Sequence, residues 1–171
     1  MKHSEGNFKG ANDLNLFYQS WLPDSGTKAI IAIVHGFGEH SGRYMNLVNH
    51  VLPQGFIVYG FDHRGHGRSE GNRGHIMDWS EFREDIKLFL QLIRSQENEL
   101  PLFLMGHSMG GLIVLNYILH HPEENINSVI VSAPLLVQPA ISPIIILISK
   151  ILSRVWPRFS IDTKLDVKYR S

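Results

Sequence analysis

Two hydrophobic periods alternate along this chain. Ala29 to Val34, Phe56 to Phe61, Leu102 to Met105 and Val129 to Val131 are nearly continuous apolar runs, as expected of parallel strands buried on both faces. Between them apolar positions recur at helical spacing. Tyr44, Leu47, Val48, Val51 and Leu52 form one face, and Phe82, Ile86, Phe89, Leu90 and Ile93 form another. Asp78, with Glu81 three residues later, has the form of a capping box opening that second helix. A third helix is predicted from about Met109 to His121, ending before Pro122, whose ring disfavours helix in the residue before it. The start of the chain differs: Asn12-Asp13 stands between Phe8-Lys9-Gly10 and the alternating Leu14, Leu16 and Tyr18, which predicts a short hairpin at a sheet edge. Strands alternating with helices after an antiparallel opening give an α/β fold, a mostly parallel sheet with right-handed crossovers.

The alternation stops after Ser132-Ala133-Pro134, and a boundary is placed there: residues 1–134 form the sheet and its helices, and residues 135–171 begin a separate helix-leaning segment. Ser142 and Pro143 suit an N-cap and first helical position, after which Ile144, Leu147, Ile148, Ile151, Leu152 and Val155 share one face. Such a helix has three open roles: covering a core, lining an apolar pocket, or dipping into a lipid surface as a peripheral membrane contact. Pro139, Pro143, Gln138 and Lys150 interrupt the segment before it reaches the roughly 20 apolar residues of a membrane span.

Charge narrows the partners. Sixteen basic residues balance sixteen acidic ones, so the chain has no electrostatic footprint for nucleic acid and no charged tail for an anionic membrane. A neutral or small molecule is the expected ligand. Cys is absent, which removes disulfides, thiolate zinc sites and cysteine nucleophiles together. The first residues, Met1-Lys2-His3-Ser4-Glu5-Gly6, lack the apolar stretch of a signal peptide, so a cytoplasmic location is the expectation.

The candidate chemistry lies in three loops that follow predicted strands. Gly106-His107-Ser108-Met109-Gly110 joins an apolar run to a helical pattern, the setting of a nucleophile elbow. Gly106 and Gly110 remove side chains where strand and helix approach, letting the turn hold Ser108 in a strained geometry with its oxygen exposed above the sheet. An oxyanion hole needs backbone donors. Met109, directly after Ser108, supplies one, and the His35-Gly36-Phe37-Gly38 turn after Val34 would present the Phe37 amide as the other. The third loop, Asp62-His63-Arg64-Gly65-His66-Gly67-Arg68-Ser69, fails as a dinucleotide loop because Glu70 stands where a third glycine is needed. As a metal site, His63, His66 and His75 lack helical spacing and any thiolate. It reads as a glycine-hinged loop in which Asp62 and Arg64 make structural hydrogen bonds.

Taken together, His35 to Tyr44, Asp62 to Gly71 and Gly106 to Gly111 closely resemble the monoacylglycerol lipase and lysophospholipase group of the α/β-hydrolase fold, in order and spacing. The resemblance implies Ser108 as catalytic nucleophile, Phe37 and Met109 as the oxyanion hole, and the helix after Pro143 as part of a lid or cap lining an acyl-chain pocket. It implies a small-molecule acyl ester or lipid as substrate, a monoacylglycerol or lysophospholipid, and neither a metal nor an organic cofactor. It also implies more than is present. In that group an acid and a histidine follow the serine in the order Ser, Asp, His. Here 63 residues follow Ser108, and the only histidines among them, His120 and His121, lie at the far end of the helix that starts at the serine, about 18 Å away at about 1.5 Å of rise per residue. Asp162 and Asp166 come later, with no histidine after them. The expectation is an N-terminal portion of such a hydrolase with the C-terminal strands missing. The alternatives are a catalytically incompetent fragment, or one half of a split enzyme completed by a complementing C-terminal chain.

Overall fold

Six strands form one sheet in the order β1-β2-β4-β3-β5-β6: β1 (Lys2–Lys9), β2 (Asn15–Leu22), β3 (Ala29–Val34), β4 (Phe56–Phe61), β5 (Leu102–His107) and β6 (Ser128–Ser132). The structure, a computed structural model, describes residues 1–97, 99–136 and 155. β1 and β2 pair antiparallel, as do β2 and β4, while β3 pairs parallel with both β4 and β5, and β5 with β6. The expected hairpin is thus present, with eight residues in each arm and β1 at the edge. Its turn places Asn12 at φ 58° and Asp13 at φ 65°, left-handed positions that these short polar side chains tolerate better than most.

The helices are α1 (Met45–Val51), α2 (Trp79–Gln96) and α3 (Met109–His120). Alternate residues of the central strands serve opposite faces, which is why β3 and β4 read as unbroken apolar runs. Ile30, Ala32 and Val34 pack with Ile86, Phe89 and Ile93 of α2 and with Ile113, Val114 and Tyr117 of α3. Ile31 and Ile33 face the other way, onto Val48 of α1 and Leu52. All six side chains of β3 are buried. The parallel strands end together at the edge from which His35, Asp62 and Ser108 emerge, so the three candidate loops meet above the carboxyl ends of β3, β4 and β5, where ligands of open α/β sheets bind.

Two local expectations are refined. β5 runs on through Gly106 and His107, because His107 still pairs with Ser132 of β6. The capping box is offset. The Asp78 side chain accepts the Ser80 N–H at 2.8 Å, but the Glu81 carboxylate reaches back to the Met77 N–H at 3.0 Å rather than to Asp78. Apart from Leu135, Leu136 and Val155, the expected cap segment, with Asp162 and Asp166, lies outside the described residues. No helix among the described residues is long and apolar enough to cross a membrane.

Candidate functional site

Ser108 sits between the last residue of β5 and the first of α3, at φ 52° and ψ −117°. A non-glycine side chain at positive φ away from the left-handed well is strained, and strain is tolerated only where the surroundings over-determine the backbone. Here close backbone approach does so. A Cβ on Gly110 would lie 2.1 Å from the Val34 carbonyl oxygen and 2.5 Å from that of His35, and one on Gly106 would lie 2.5 Å from the Gly110 carbonyl oxygen. The helix thus begins directly on the end of β3, and no larger residue fits at either position. The Ser108 N–H donates to the Ser132 carbonyl at 2.9 Å, tying the turn to β6.

The loop after β3 comes up against this turn. A Cβ on Gly36 would meet the Ser108 Cβ at 3.3 Å. The next residue, Phe37, and Met109 on the far side of Ser108 both line one cavity of about 170 Å³. Among the described residues neither the Phe37 nor the Met109 N–H has a hydrogen-bond partner. The structure therefore brings Ser108, Phe37, Met109, Gly106 and Gly110 to one place.

What holds the loop was not legible in the motif. The Gly36 N–H donates to Glu39 Oε2 at 3.0 Å, and the same oxygen accepts the Tyr44 hydroxyl at 2.8 Å, while Glu39 Oε1 pairs with Arg43 at 3.1 Å. Burial opposes ionisation of Glu39, but these donors outweigh it and hold the carboxyl below its ordinary value. Behind the loop stand three imidazoles in tilted and edge-on contact. His35 and His63 have centroids 4.3 Å apart, and His35 and His66 5.4 Å apart. Their hydrogen bonds fix the tautomers. His35 Nε2 accepts the His63 N–H at 2.9 Å, so its proton is on Nδ1, donated to the Gly36 carbonyl at 2.8 Å. His63 donates from Nε2 to the His35 carbonyl at 3.0 Å, which leaves its buried Nδ1 as a bare lone pair. Burial, the largest cause in each, lowers all three: His35 to about 4, His63 well below its ordinary value, and His66 in the same direction. They are neutral scaffold near pH 7, with most ring nitrogens committed to backbone groups.

The loop after β4 behaves as a glycine-hinged loop. The Asp62 carboxylate accepts the Ser41 N–H and the Ser41 hydroxyl, each at 2.7 Å, and the Arg68 N–H at 2.9 Å, joining the two loops. Arg64 makes two hydrogen bonds to Asp85, Nε at 2.7 Å and Nη2 at 2.8 Å, and Nη1 lies 3.2 Å from Glu81. Asp85, an acidic residue in the middle of α2, gave no hint of this partner in sequence. Among the described residues no histidine nitrogen is hydrogen-bonded to Ser108: His107 reaches the Ser132 hydroxyl at 3.2 Å, and His120 the Asn116 carbonyl at 2.8 Å. Nor do the described residues hold a group of three potential metal ligands.

A mostly parallel sheet whose strand-to-helix turn carries a serine at positive φ, backed by a glycine loop from the neighbouring strand, defines the α/β-hydrolase class. A family model described as serine aminopeptidase, S33, matches residues 25–171, and the chain belongs to that family of α/β hydrolases. It is 34% identical over 160 residues to the monoacylglycerol lipase of Mycolicibacterium smegmatis, an alignment covering 93% of this chain and 57% of that protein. Human (Homo sapiens) monoglyceride lipase is 35% identical over 147 residues, with 85% of this chain and 48% of that one covered. Among solved structures, a soluble variant of the monoglyceride lipase of Saccharomyces cerevisiae, in complex with a substrate analog, superposes with a TM-score of 0.78 at 30% identity, covering 96% of this chain and 56% of its own. The chain spans about half the length of the curated relatives it matches.

Proposed function

We propose that Ser108 is the nucleophile of a carboxylic-ester hydrolase whose substrate is a monoacylglycerol or lysophospholipid. Ser108 Oγ attacks the ester carbonyl, the Phe37 and Met109 N–H groups receive the developing oxyanion, the alcohol leaves with a proton, and water then cleaves the acyl-enzyme. The observation that carries this reading is the Ser108 backbone, at φ 52° between β5 and α3, with Gly36 packed against it. Nothing in these steps needs a metal or an organic cofactor. The lipid-like substrate rests on the names of the relatives rather than on the geometry, and contact with a lipid surface through the segment after Pro143 belongs to the same proposal.

The base is the part of this reading that residues 1–171 do not supply. His35 and His63 are buried and bonded to backbone groups, and no histidine follows His121. The histidine that takes the Ser108 proton, and the acid that orients it, are assigned to polypeptide outside these residues. Without the base, turnover falls by about 10⁶, leaving roughly 10³ to 10⁴ over the uncatalysed rate from the oxyanion hole and binding.

The test is covalent labelling of the purified chain with an alkyl fluorophosphonate, located by peptide mass, alongside monoacylglycerol hydrolysis. Slow labelling of Ser108 that disappears in Ser108→Ala, with hydrolysis near background, is the expected result. Equal labelling of both chains overturns the assignment.

A further inference from the structure

Four non-glycine residues among the described ones stand at positive φ, and they fall in two places. Asn12 and Asp13 make the turn between β1 and β2, where short polar side chains tolerate that backbone. The other two are Ser108, at φ 52°, and Ala133, at φ 44°, and the fold sets them against each other. Ala133 has no local reason for its conformation. It lacks the freedom of glycine and the polar side chain of Asn or Asp, and Pro134 after it favours extended backbone at position 133. Its methyl group is exposed, so side-chain packing does not hold it there. Strain of this kind persists only where the surroundings over-determine the backbone.

Those surroundings are the Ser108 turn. The Ser132 carbonyl, just before Ala133, accepts the Ser108 N–H at 2.9 Å, and the Leu135 N–H, just beyond Pro134, donates to the Ser108 carbonyl at 3.3 Å. The reversal at Ala133 lets two peptide groups close in sequence grip both polar groups of one backbone residue. The Ser132 hydroxyl lies 3.2 Å from His107 Nδ1, a third contact one residue earlier. Pro134 completes the fit: a Cβ on Gly111 would come within 3.2 Å of the Pro134 Cβ and 2.9 Å of Val131 Cγ1, so the first turn of α3 rests on the same segment. The Ser108 carbonyl also accepts the Leu112 N–H at 3.2 Å, the first bond of α3. Held by the helix alone, Ser108 could relax to the extended backbone usual at an N-cap. Held from the other side by Leu135, it cannot do so without breaking a bond.

We infer that residues 132–135 are a strut for the nucleophile's backbone and that Ala133 is a positioning residue for Ser108, its left-handed backbone offset by the bonds that Ser132 and Leu135 make to the serine. This rests on the reading of Ser108 as nucleophile and deepens it, by naming what fixes the direction from which the serine attacks.

Two measurements on the full chain test the strut. The first needs no new variant at the turn: hydrogen exchange of the Leu135 amide, followed by NMR. Leu135 is 48% exposed, and its amide is expected to be protected about tenfold or more over an unstructured peptide of the same sequence. Protection should persist in Ser108→Ala, because only backbone groups make the bond. An unprotected Leu135 amide overturns the strut whatever Ser108 does. The second is labelling of Ser108 by an alkyl fluorophosphonate, resolved into the inactivation rate constant and the affinity for the probe. Ala133→Val puts a β-branched residue at positive φ, and at an exposed position the burden falls on the backbone, which turns to negative φ and withdraws Leu135. The rate constant is expected to fall about tenfold to a hundredfold at unchanged affinity. Ala133→Gly adopts the parent backbone without strain and keeps the parent rate constant. Equal rate constants in the parent and a folded Ala133→Val overturn the strut and leave Ser108 as nucleophile, as does an Ala133→Gly chain that loses as much as Ala133→Val. Should Ala133→Val fail to fold, exchange at Leu135 and the Ala133→Gly rate still decide. A protected Leu135 amide with no labelling of the parent at Ser108 overturns the nucleophile, and the positioning role with it.

Discussion

The turn from β5 into α3 is positioned by side chains that are absent, whereas the loops after β3 and β4 are positioned by side chains that are present. Around Ser108 the close contacts are glycine against backbone: Gly110 on the carbonyls of Val34 and His35, and Gly106 on Gly110. A few ångströms away, Glu39, Asp62, His35, His63 and Arg64 spend almost every polar atom on a neighbour. Each device suits its task. A strained serine needs a rigid support with no freedom to relax, which backbone contact gives. An amide that must be aimed at a developing charge needs its loop pinned from behind, which a buried hydrogen-bond network gives.

The largest expected effect comes from breaking the network at the most deeply buried charge pair among the described residues. Asp85 is 0% exposed, and Arg64 stands on it with two hydrogen bonds. Removing one partner of a buried pair leaves the other charge uncompensated, so Arg64→Ala should cost about 3–5 kcal/mol in urea unfolding. The double variant Arg64→Met with Asp85→Leu should recover most of that loss, since a buried pair is often replaceable by apolar groups. A single-variant loss under about 1 kcal/mol would mean that the pair contributes little.

The glycine side breaks next. In Gly110→Ala the new methyl meets two carbonyl oxygens of the neighbouring strand rather than a flexible side chain, so β3 and α3 must separate. The expected loss is about 3 kcal/mol, with the Ser108 turn displaced. Fluorophosphonate labelling of Ser108 should fall further than stability does. Unchanged labelling in a folded Gly110→Ala chain would show that the turn does not depend on this contact.

This difference also explains how much could be read in the sequence. The apolar runs predicted four strands to within a few residues and the helices α2 and α3 almost to their ends, because a strand buried on both faces and an amphipathic helix declare themselves locally. The glycine motif was legible for the same reason: Gly106, Ser108 and Gly110 lie within five residues. The network was not. Arg64 and Asp85 are 21 residues apart, as are Ser41 and Asp62, and Ala11 meets Asp85 across 74. Any polar residue has many such candidates, and only the folded backbone selects among them. His63 shows the limit best: in sequence it was one histidine in a polar loop, and in the structure it is a fully buried ring with an unpaired nitrogen.

Acid sharpens the contrast, because it reaches the histidines and not the glycines. Above pH 6.5 His35 is neutral in both the folded and the unfolded chain. Between pH 6.5 and about 4 the unfolded chain takes up a proton that buried His35 refuses, so stability falls as pH falls through that window. At pH 5 His35 alone accounts for about 2 kcal/mol of lost stability, and His63 and His66, lowered in the same direction, act with it. Urea unfolding at pH 7 and pH 5 measures this directly. A stability that stays flat over the window would mean that the three rings are not buried as neutral groups.

The smallest effect isolates the bond nearest the proposed oxyanion hole. Glu39 does three things: it pairs with half-exposed Arg43, and it accepts both the Gly36 N–H and the Tyr44 hydroxyl. Glu39→Gln keeps a carbonyl oxygen for Gly36 and gives up only the ion pair, a loss of less than about 1 kcal/mol. Glu39→Ala also leaves the Gly36 N–H and the Tyr44 hydroxyl without their acceptor and should cost about 1–2 kcal/mol more. Hydrogen exchange at the Gly36 amide gives the local readout: protected in the parent and in Glu39→Gln, fast in Glu39→Ala. If the two variants match in stability and exchange, the carboxylate acts through Arg43 alone, and the Phe37 amide is aimed by the histidine cluster behind it rather than by Glu39.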